Sequence, residues 1–309
     1  MTQTARVSLA KTVDREAGVR AAIELLRDTA ASFRGRHVVL KPNFNSDDPF
    51  PAATHNDAAA AIITWLKDAG AREITVAERS GIAWDSHRVA EAKGLHDLFE
   101  RLGVRYVILD DLAAEDWVAV PLEGGHWRRG IEIPRLYAEA EAVVMTCCLK
   151  THAFGGHFTM SLKNAVGLVP LVSAKDGYEY MQELHSAANP RQLIAEINQA
   201  FTPDLIVLDG LSAFITGGPY EGEVVHPGVI LASRDRIAID AVGVAILRMY
   251  DTTDEVKRGQ IFDLDQLRYA TELGLGVGSP DSIELVAADD PESRAMADAI
   301  RVHLHERQP

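Results

Sequence analysis

Hydrophobic residues follow two periods along the chain. Short, nearly continuous apolar runs alternate with stretches in which apolar residues recur every three or four positions. "HVVLKPN" (37–43) is a run of the first kind, closed by proline, and predicts a buried strand. "DAAAAIITWLKDAGA" (57–71) has helical length and spacing, with Asn56 or Asp57 as the N-cap and Gly70 as the stop. "EITVAE" (73–78) and "GVRYVILDD" (103–111) read as further strands on either side of the helical "VAEAKGLHDLFERL". Later strands are "EAVVMTCCLK" (141–150), "PDLIVLDG" (203–210) and "GVILASRD" (228–235). Helical spacing returns in "PRQLIAEINQAF", "RIAIDAVGVAILRMY" and "DLDQLRYATELG".

Repeated strand–helix units with apolar strands predict an α/β fold. Its mainly parallel sheet would carry helices on both faces in Rossmann-like layers. The stretch 111–135, with "EGGHWRRG", is the least regular and is read as a hairpin or an excursion from the sheet. One unit over 1–309 is expected, with room for two lobes and a candidate lobe boundary near 150.

In open α/β sheets ligands bind beyond the carboxyl ends of the strands. Four strand ends here lead into polar or glycine-rich loops: "KPNFNSDDPFPAATHND", "ERSGIAWDSH", "KTHAFGGHFTMSLKN" and "DGLSAFITGGPYEGEVVHPG". These loops are expected to converge on one site.

Composition narrows the classes of function. The 309 residues carry a formal net charge of −14, which argues against broad nucleic-acid or anionic-membrane binding, since both need a basic face. A local basic pocket for a small anion stays allowed. No apolar run reaches the roughly 18 residues of a membrane span, and the first residues show no secretory pattern, so a cytoplasmic protein is expected. The only two cysteines, Cys147 and Cys148, are neighbours in a predicted strand and point to opposite faces. They read as small buried core residues, and no intrinsic four-cysteine iron–sulfur cluster is expected.

The densest chemistry lies in "LKTHAFGGHFTMSLKNAVGLVP" (149–170). His152 and His157 flank Gly155-Gly156, and a flexible pair of glycines would let both rings face one divalent transition metal, with His55, Asp57 or Glu78 as third ligand and His185 and His226 as further candidates. The other reading makes one histidine a backbone cap and the other a general acid, base or anion donor. "TMSLKNAVG" reads as the start of a helix with Thr159 or Ser161 near its cap. Lys163 near that N-terminus would hold a carboxylate or phosphate, or act as a nucleophile if neighbouring cations lower its pKa. Lys150 and Asn164 complete the stretch as substrate contacts. "LKPNFN" places Lys41, Asn43 and Asn45 on one face of an extended chain, Lys41 as an anion contact and Asn43 to orient substrate. Gly217 and Gly218 in "ITGGPYEG" offer backbone N–H groups to an oxyanion, although a tight structural turn explains them about as well. Asp240 in "AIDAVG" reads as a cap or an ion-pair partner. No G-x-S-x-G, H-E-x-x-H or kinase set is present.

Taken together, "VVLKPNFN…THNDAAAAIITWLKDAGAREITVAERSG", "LKTHAFGGHFTMSLKNAVGLVP" and "DGLSAFITGGPYEGEVVHPGVILASRDRIAIDAVG" resemble the uncharacterised family catalogued as domain of unknown function 362, over about residues 36–250. Many members of that family carry an appended ferredoxin-like module, which implies a separate ferredoxin-like redox partner for a chain without its own cluster. A more distant similarity in layout is to lactate-racemase-like proteins, which carry a nickel-pincer nucleotide. Histidines, glycines and Lys163 occur in similar order, but the glycines precede His157 instead of Lys163, and "THND" lacks that family's arginine. The nickel cofactor is not carried over.

The leading expectation is a cytoplasmic enzyme on a small anionic organic substrate, an isomerase, lyase or oxidoreductase. His152, His157 and Lys163 would be catalytic, while Lys41, Asn43, Lys150, Asn164, Gly217 and Gly218 would bind substrate. The alternatives are a non-catalytic redox accessory protein and a metal- or metabolite-binding protein.

Overall fold

The computed structural model describes residues 4–154 and 157–307. Among them are strands β1 (Ala5–Lys11), β2 (His37–Lys41), β3 (Glu73–Glu78), β4 (Arg105–Ile108), β5 (Trp117–Val120) and β6 (Ile131–Pro134). The second half adds β7 (Ala142–His152), β8 (His157–Thr159), β9 (Leu205–Phe214), β10 (Val224–Val225), β11 (Val229–Ser233) and β12 (Ile283–Ala287). One sheet has the order β12-β1-β11-β9-β7-β2-β3-β4, with β8 and β10 as short additions to β7 and β9. The irregular stretch before β7 forms a separate antiparallel pair, β5 with β6.

β4, β3, β2, β7 and β9 run parallel. β11 runs against both of its neighbours, β9 and β1, and β12 is parallel to β1. The sheet is therefore mainly parallel, as the strand–helix alternation predicts.

Successive side chains of a strand point to opposite faces, and this divides the core into two layers. Val39, Met145 and Cys147 belong to one layer, and Val38, Leu40 and Val144 to the other. The second layer receives the helices Arg15–Glu24, Asn56–Asp68 and Leu95–Arg101 through Ile23, Ile62 and Phe99. The first receives Pro190–Ile197, Arg236–Arg248 and Pro291–His305 through Leu193, Val242 and Ile300. Every residue of Arg236–Arg248 is buried, which its apolar sequence allows on all sides.

Local boundaries differ from the sequence pattern in detail. The helix Asn56–Asp68 is capped by His55, whose Nδ1 accepts from the Asp57 N–H at 3.1 Å, and not by Asn56 or Asp57. Gly94, at φ +61°, splits "VAEAKGLHDLFERL" into Ser86–Ala92 and Leu95–Arg101. The candidate lobe boundary near 150 is corrected: residue 150 lies inside β7, between β2 and β9, so a division there would cut a central strand.

β7 outruns β2, and this creates the site. Its pairing with β2 ends at Lys41↔Met145, so residues 146–152 project past the end of β2. Pairing with β9 continues after a register shift between Cys148 and Leu149. β8 folds back antiparallel on the tip, with Lys150 opposite Thr159 and His152 opposite His157. Gly155 and Gly156, read above as a flexible hinge between the histidines, lie outside the described residues.

Candidate functional site

A cavity of about 340 Å³ opens where β2, β3 and β7 end. All four loops named from the sequence reach it. The first supplies Asn43 and Asn45, the second Arg79 and Ile82, the third Lys150, His152, Thr159 and Lys163, and the fourth Pro219 and Tyr220.

At its floor lies a buried ion pair. Lys41 and Glu78 are 1% and 3% exposed, and the Lys41 ammonium donates to both Glu78 oxygens at 2.6 and 2.8 Å. It also donates to the Pro42 carbonyl at 3.0 Å and to Asn164 Oδ1 at 3.2 Å. An ammonium has three N–H groups, so these acceptors use all of them. Asn164 is committed as well, because its Nδ2 donates to the Thr146 carbonyl at 3.1 Å. Lys41 and Asn164, expected to bind substrate, are instead a braced support. Glu78, considered as a metal ligand, is the counter-ion of Lys41 and also accepts from the Arg79 N–H at 2.9 Å. Burial pulls Lys41 down and pushes Glu78 up, each opposed by the other's charge.

Gly167 lies against this pair. A Cβ there would stand 2.7 Å from both Glu78 Oε1 and Lys41 Nζ. Gly167→Ala is expected to destabilise the fold by about 1–3 kcal/mol, the usual cost of overpacking. Chemical denaturation checks this, and an unchanged midpoint would show that the pair has room to yield.

Two further lysines face the cavity in different states. Lys150 is fully buried and stapled to backbone, donating to the Ala52 carbonyl and, at 3.2 Å, to the Pro219 carbonyl. Burial pushes its pKa down to about 8. Lys163 is partly buried and makes no hydrogen bond or ion pair with any described residue. Burial, and then the charge of Lys150, push it down to about 8. His152 is held far below the usual imidazole range, first by burial and then by the charges of Lys163 and Lys150, so its ring is neutral. The Arg79 guanidinium adds fixed positive charge, although its donors already serve the carbonyls of Val169, Ser80 and Val166.

Three residues that line the cavity hold a buried polar atom with no partner among the described residues: Asn45 Oδ1, Thr159 Oγ1 and His152 Nδ1. The Asn43 side chain, also on the lining, hydrogen-bonds Cys148. Buried polar groups are nearly always hydrogen-bonded, so such atoms among the lining residues mark a place for a ligand. Apolar groups form the mouth: Phe154 is 69% exposed and Ile82 52%, and the rings of Phe154 and His152 meet nearly edge to face with centroids 5.9 Å apart.

The remaining candidates fall elsewhere. His157 is not among the described lining residues; burial and then Arg191 lower its pKa, and its other electrostatic neighbours are Glu255 and Asp265. His55 caps its helix beside Asp57, and neither lines the cavity. His226 Nδ1 meets Ser212 Oγ at 2.9 Å, outside it. His185 does reach the wall, with Nδ1 2.7 Å from the Met181 carbonyl. Among the described residues no three His, Cys, Asp or Glu side chains converge to hold a metal ion. The expected metal set of His152 and His157 with His55, Asp57 or Glu78 is thus corrected, because its members face different surroundings.

Two local expectations are also revised. The helix Ser161–Asn164 is a single turn, and its free N–H groups are taken by Asp240, which accepts from Ser161 N at 2.8 Å and Leu162 N at 3.1 Å. Lys163 therefore does not share an open helix N-terminus with an anion, and Asp240 is the cap its sequence context suggested. Gly217 and Gly218 form a structural turn and not an oxyanion cradle. Gly218 packs on the end of β7, accepting from Ala153 N at 3.1 Å, and the following Pro219 and Tyr220 face the cavity. Arg79, Thr159 and Tyr220 were not singled out in the sequence as site residues, although the loops that carry them were.

Fold and site together define a mainly parallel α/β protein with a cavity at its strand ends into which cationic side chains reach. Residues 38–245 match the family described as Domain of unknown function (DUF362), and the chain belongs to that family. It is similar to the thylakoid-associated protein sll1697 of Synechocystis sp., with 27% identity over 228 residues, 71% of this chain and 65% of the relative. The chain thus spans a little under two thirds of that relative's length. Among solved structures, it is similar to the lactate racemase apoprotein from Thermoanaerobacterium thermosaccharolyticum at 17% identity and TM-score 0.42, covering 67% of this chain and 50% of that one. A Thermotoga maritima protein is similar at 14% identity and TM-score 0.41, covering 70% and 54%. No helix among the described residues is long and apolar enough to cross a membrane.

Proposed function

We propose that the chain is a cytoplasmic enzyme acting on a small anionic organic substrate held in this cavity. The observation that carries the reading is the Lys163 ammonium, which lines the cavity without a partner among the described residues, beside Asn45, Thr159 and His152, lining residues that each hold a buried polar atom without a hydrogen bond. An ammonium without a counter-ion in a partly buried site favours an anionic ligand. Lys163 and Lys150 attract the anionic group, and Asn45 Oδ1 and Thr159 Oγ1 orient the remainder. Phe154 and Ile82 exclude water at the mouth. His152, neutral and with Nδ1 unpartnered, is suited to hydrogen-bond the substrate as a neutral ring.

Calorimetric titration with small carboxylates and phosphates tests the reading. One member of the panel should bind at one site, and Lys163→Met should weaken it by about 1.5–3 kcal/mol, the scale of a charged hydrogen bond. Anion binding needs the protonated amine, whose pKa is pushed down to about 8. Affinity should therefore be level below that pH and decline as pH rises through it. A panel without a binder, or a methionine variant that binds as the wild type does, would sink the proposal.

A further inference from the structure

The three lysines of the cavity differ in what their nitrogen is free to do. Lys41 has every N–H engaged and a carboxylate beside it. Lys150 is fully buried and tied to two backbone carbonyls. Lys163 alone reaches the cavity with no partner among the described residues. No acid near it stabilises its charge: the titratable groups on the surrounding wall are Lys150 and His152 from β7, His185 from the helix Tyr180–Ser186, Tyr220, Arg79, and the mutually neutralised Lys41 and Glu78.

We infer that Lys163 is a nucleophile that forms an imine with an aldehyde or ketone group on the anionic substrate. The inference rests on the anionic reading above and names the substrate class as a small oxo acid. The same burial and neighbouring charge that push the amine down to about 8 leave an appreciable neutral fraction near neutral pH. In the reaction the nitrogen lone pair attacks the carbonyl carbon and a C–N bond forms. The carbonyl π electrons move to oxygen, which gains a proton as the nitrogen loses one. The hydroxyl then leaves as water while the C=N bond forms, and hydrolysis later returns the free lysine. The imine withdraws electrons from the adjacent carbon and so labilises a proton there, with no oxidant or reductant consumed.

Reductive trapping on the intact chain tests this. Glyoxylate with cyanoborohydride leaves a carboxymethyl group on any amine that forms an imine, and peptide mass spectrometry locates it. Lys163 in the wild-type protein should be labelled at least about tenfold faster than the exposed lysines, whose amines have pKa values near 10.4. Its rate should rise to a half-maximum near pH 8. Lys163→Arg should lose the adduct and keep its melting temperature. Labelling of Lys163 no faster than at surface lysines, or with their pH profile, overturns the inference, and this result needs no variant.

Propanal and acetate separate the two proposals. Retardation of Lys163 labelling by acetate supports the anion site together with the nucleophile. Fast labelling by propanal that acetate does not slow keeps the nucleophile and removes the anion site. Binding of acetate by calorimetry without any selective adduct keeps the anion site and overturns the imine.

Discussion

Glu78→Leu is expected to cost about 3–5 kcal/mol of stability, the penalty for removing one partner of a buried ion pair. The side chain is close to glutamate in size, so the loss measures the stranded charge more than a cavity. Lys41 would keep only the Pro42 carbonyl and Asn164 Oδ1 as acceptors, at a site where it is 1% exposed. It can escape by giving up its proton in the folded state, which sets a pH signature. Burial already lowers its pKa, and without Glu78 the main charge that opposes this is gone. Between the lowered folded value of Lys41 and the ordinary lysine value of about 10.4, the unfolded variant then binds more protons than the folded one. Stability of the variant should consequently rise with pH across that interval and be level below it. Urea unfolding at neutral and alkaline pH reads both the loss and the slope. Lys41→Met/Glu78→Leu should recover most of the loss, since apolar residues of similar volume replace buried pairs at little cost. A loss below about 1 kcal/mol in the single variant, the value of an exposed pair, would show that water reaches the floor of the cavity.

The same pair shows how much of the site was legible in the sequence. Local periodicity carried β2, β3 and the helix after residue 55, because burial on one or both faces leaves a repeat that can be read along the chain. The strands β1 and β12, at one end of the sheet, were harder to see, since their apolar residues alternate with Arg6, Ser8 and Glu284 instead of running together. Convergence of the four loops followed from the rule for strand ends, and residues from each do line the cavity. The roles within it were harder to read, because they depend on partners remote in sequence. Lys41 looked like an anion contact until Glu78, 37 positions away, was placed against it. The first turn at Ser161 looked open until Asp240, 79 positions away, closed it. His152 and His157 look like a pair in sequence and even sit opposite each other in register. At φ +56° His157 leaves extended geometry, so the alternation that would put both rings on one face no longer holds. What the sequence conveyed was which loops hold the chemistry, and the tertiary contacts decided which side chains remained free to use it.

Gly218→Ala is the second large effect, expected at about 2–5 kcal/mol from two separable causes. At φ +71° any Cβ meets the left-handed penalty, about 1–2 kcal/mol. In addition, a Cβ at this position would stand 2.1 Å from the Thr151 carbonyl oxygen, part of the backbone of β7 and unable to rotate aside. The strand or the turn must shift, which adds the overpacking cost of about 1–3 kcal/mol. Gly35 supplies the control, because its φ is +73° but nothing lies within 4 Å of a Cβ there. Gly35→Ala should therefore lose only the conformational part, and the difference between the two variants isolates the close approach. Equal losses would mean that the turn yields freely. If the turn is held, its displacement should also be felt in the cavity. The Pro219 carbonyl that Lys150 donates to follows Gly218 directly, and Tyr220 behind it lines the wall. A folded Gly218→Ala protein should consequently bind small anions more weakly than the wild type, although residue 218 touches no ligand, and Gly35→Ala should bind them unchanged.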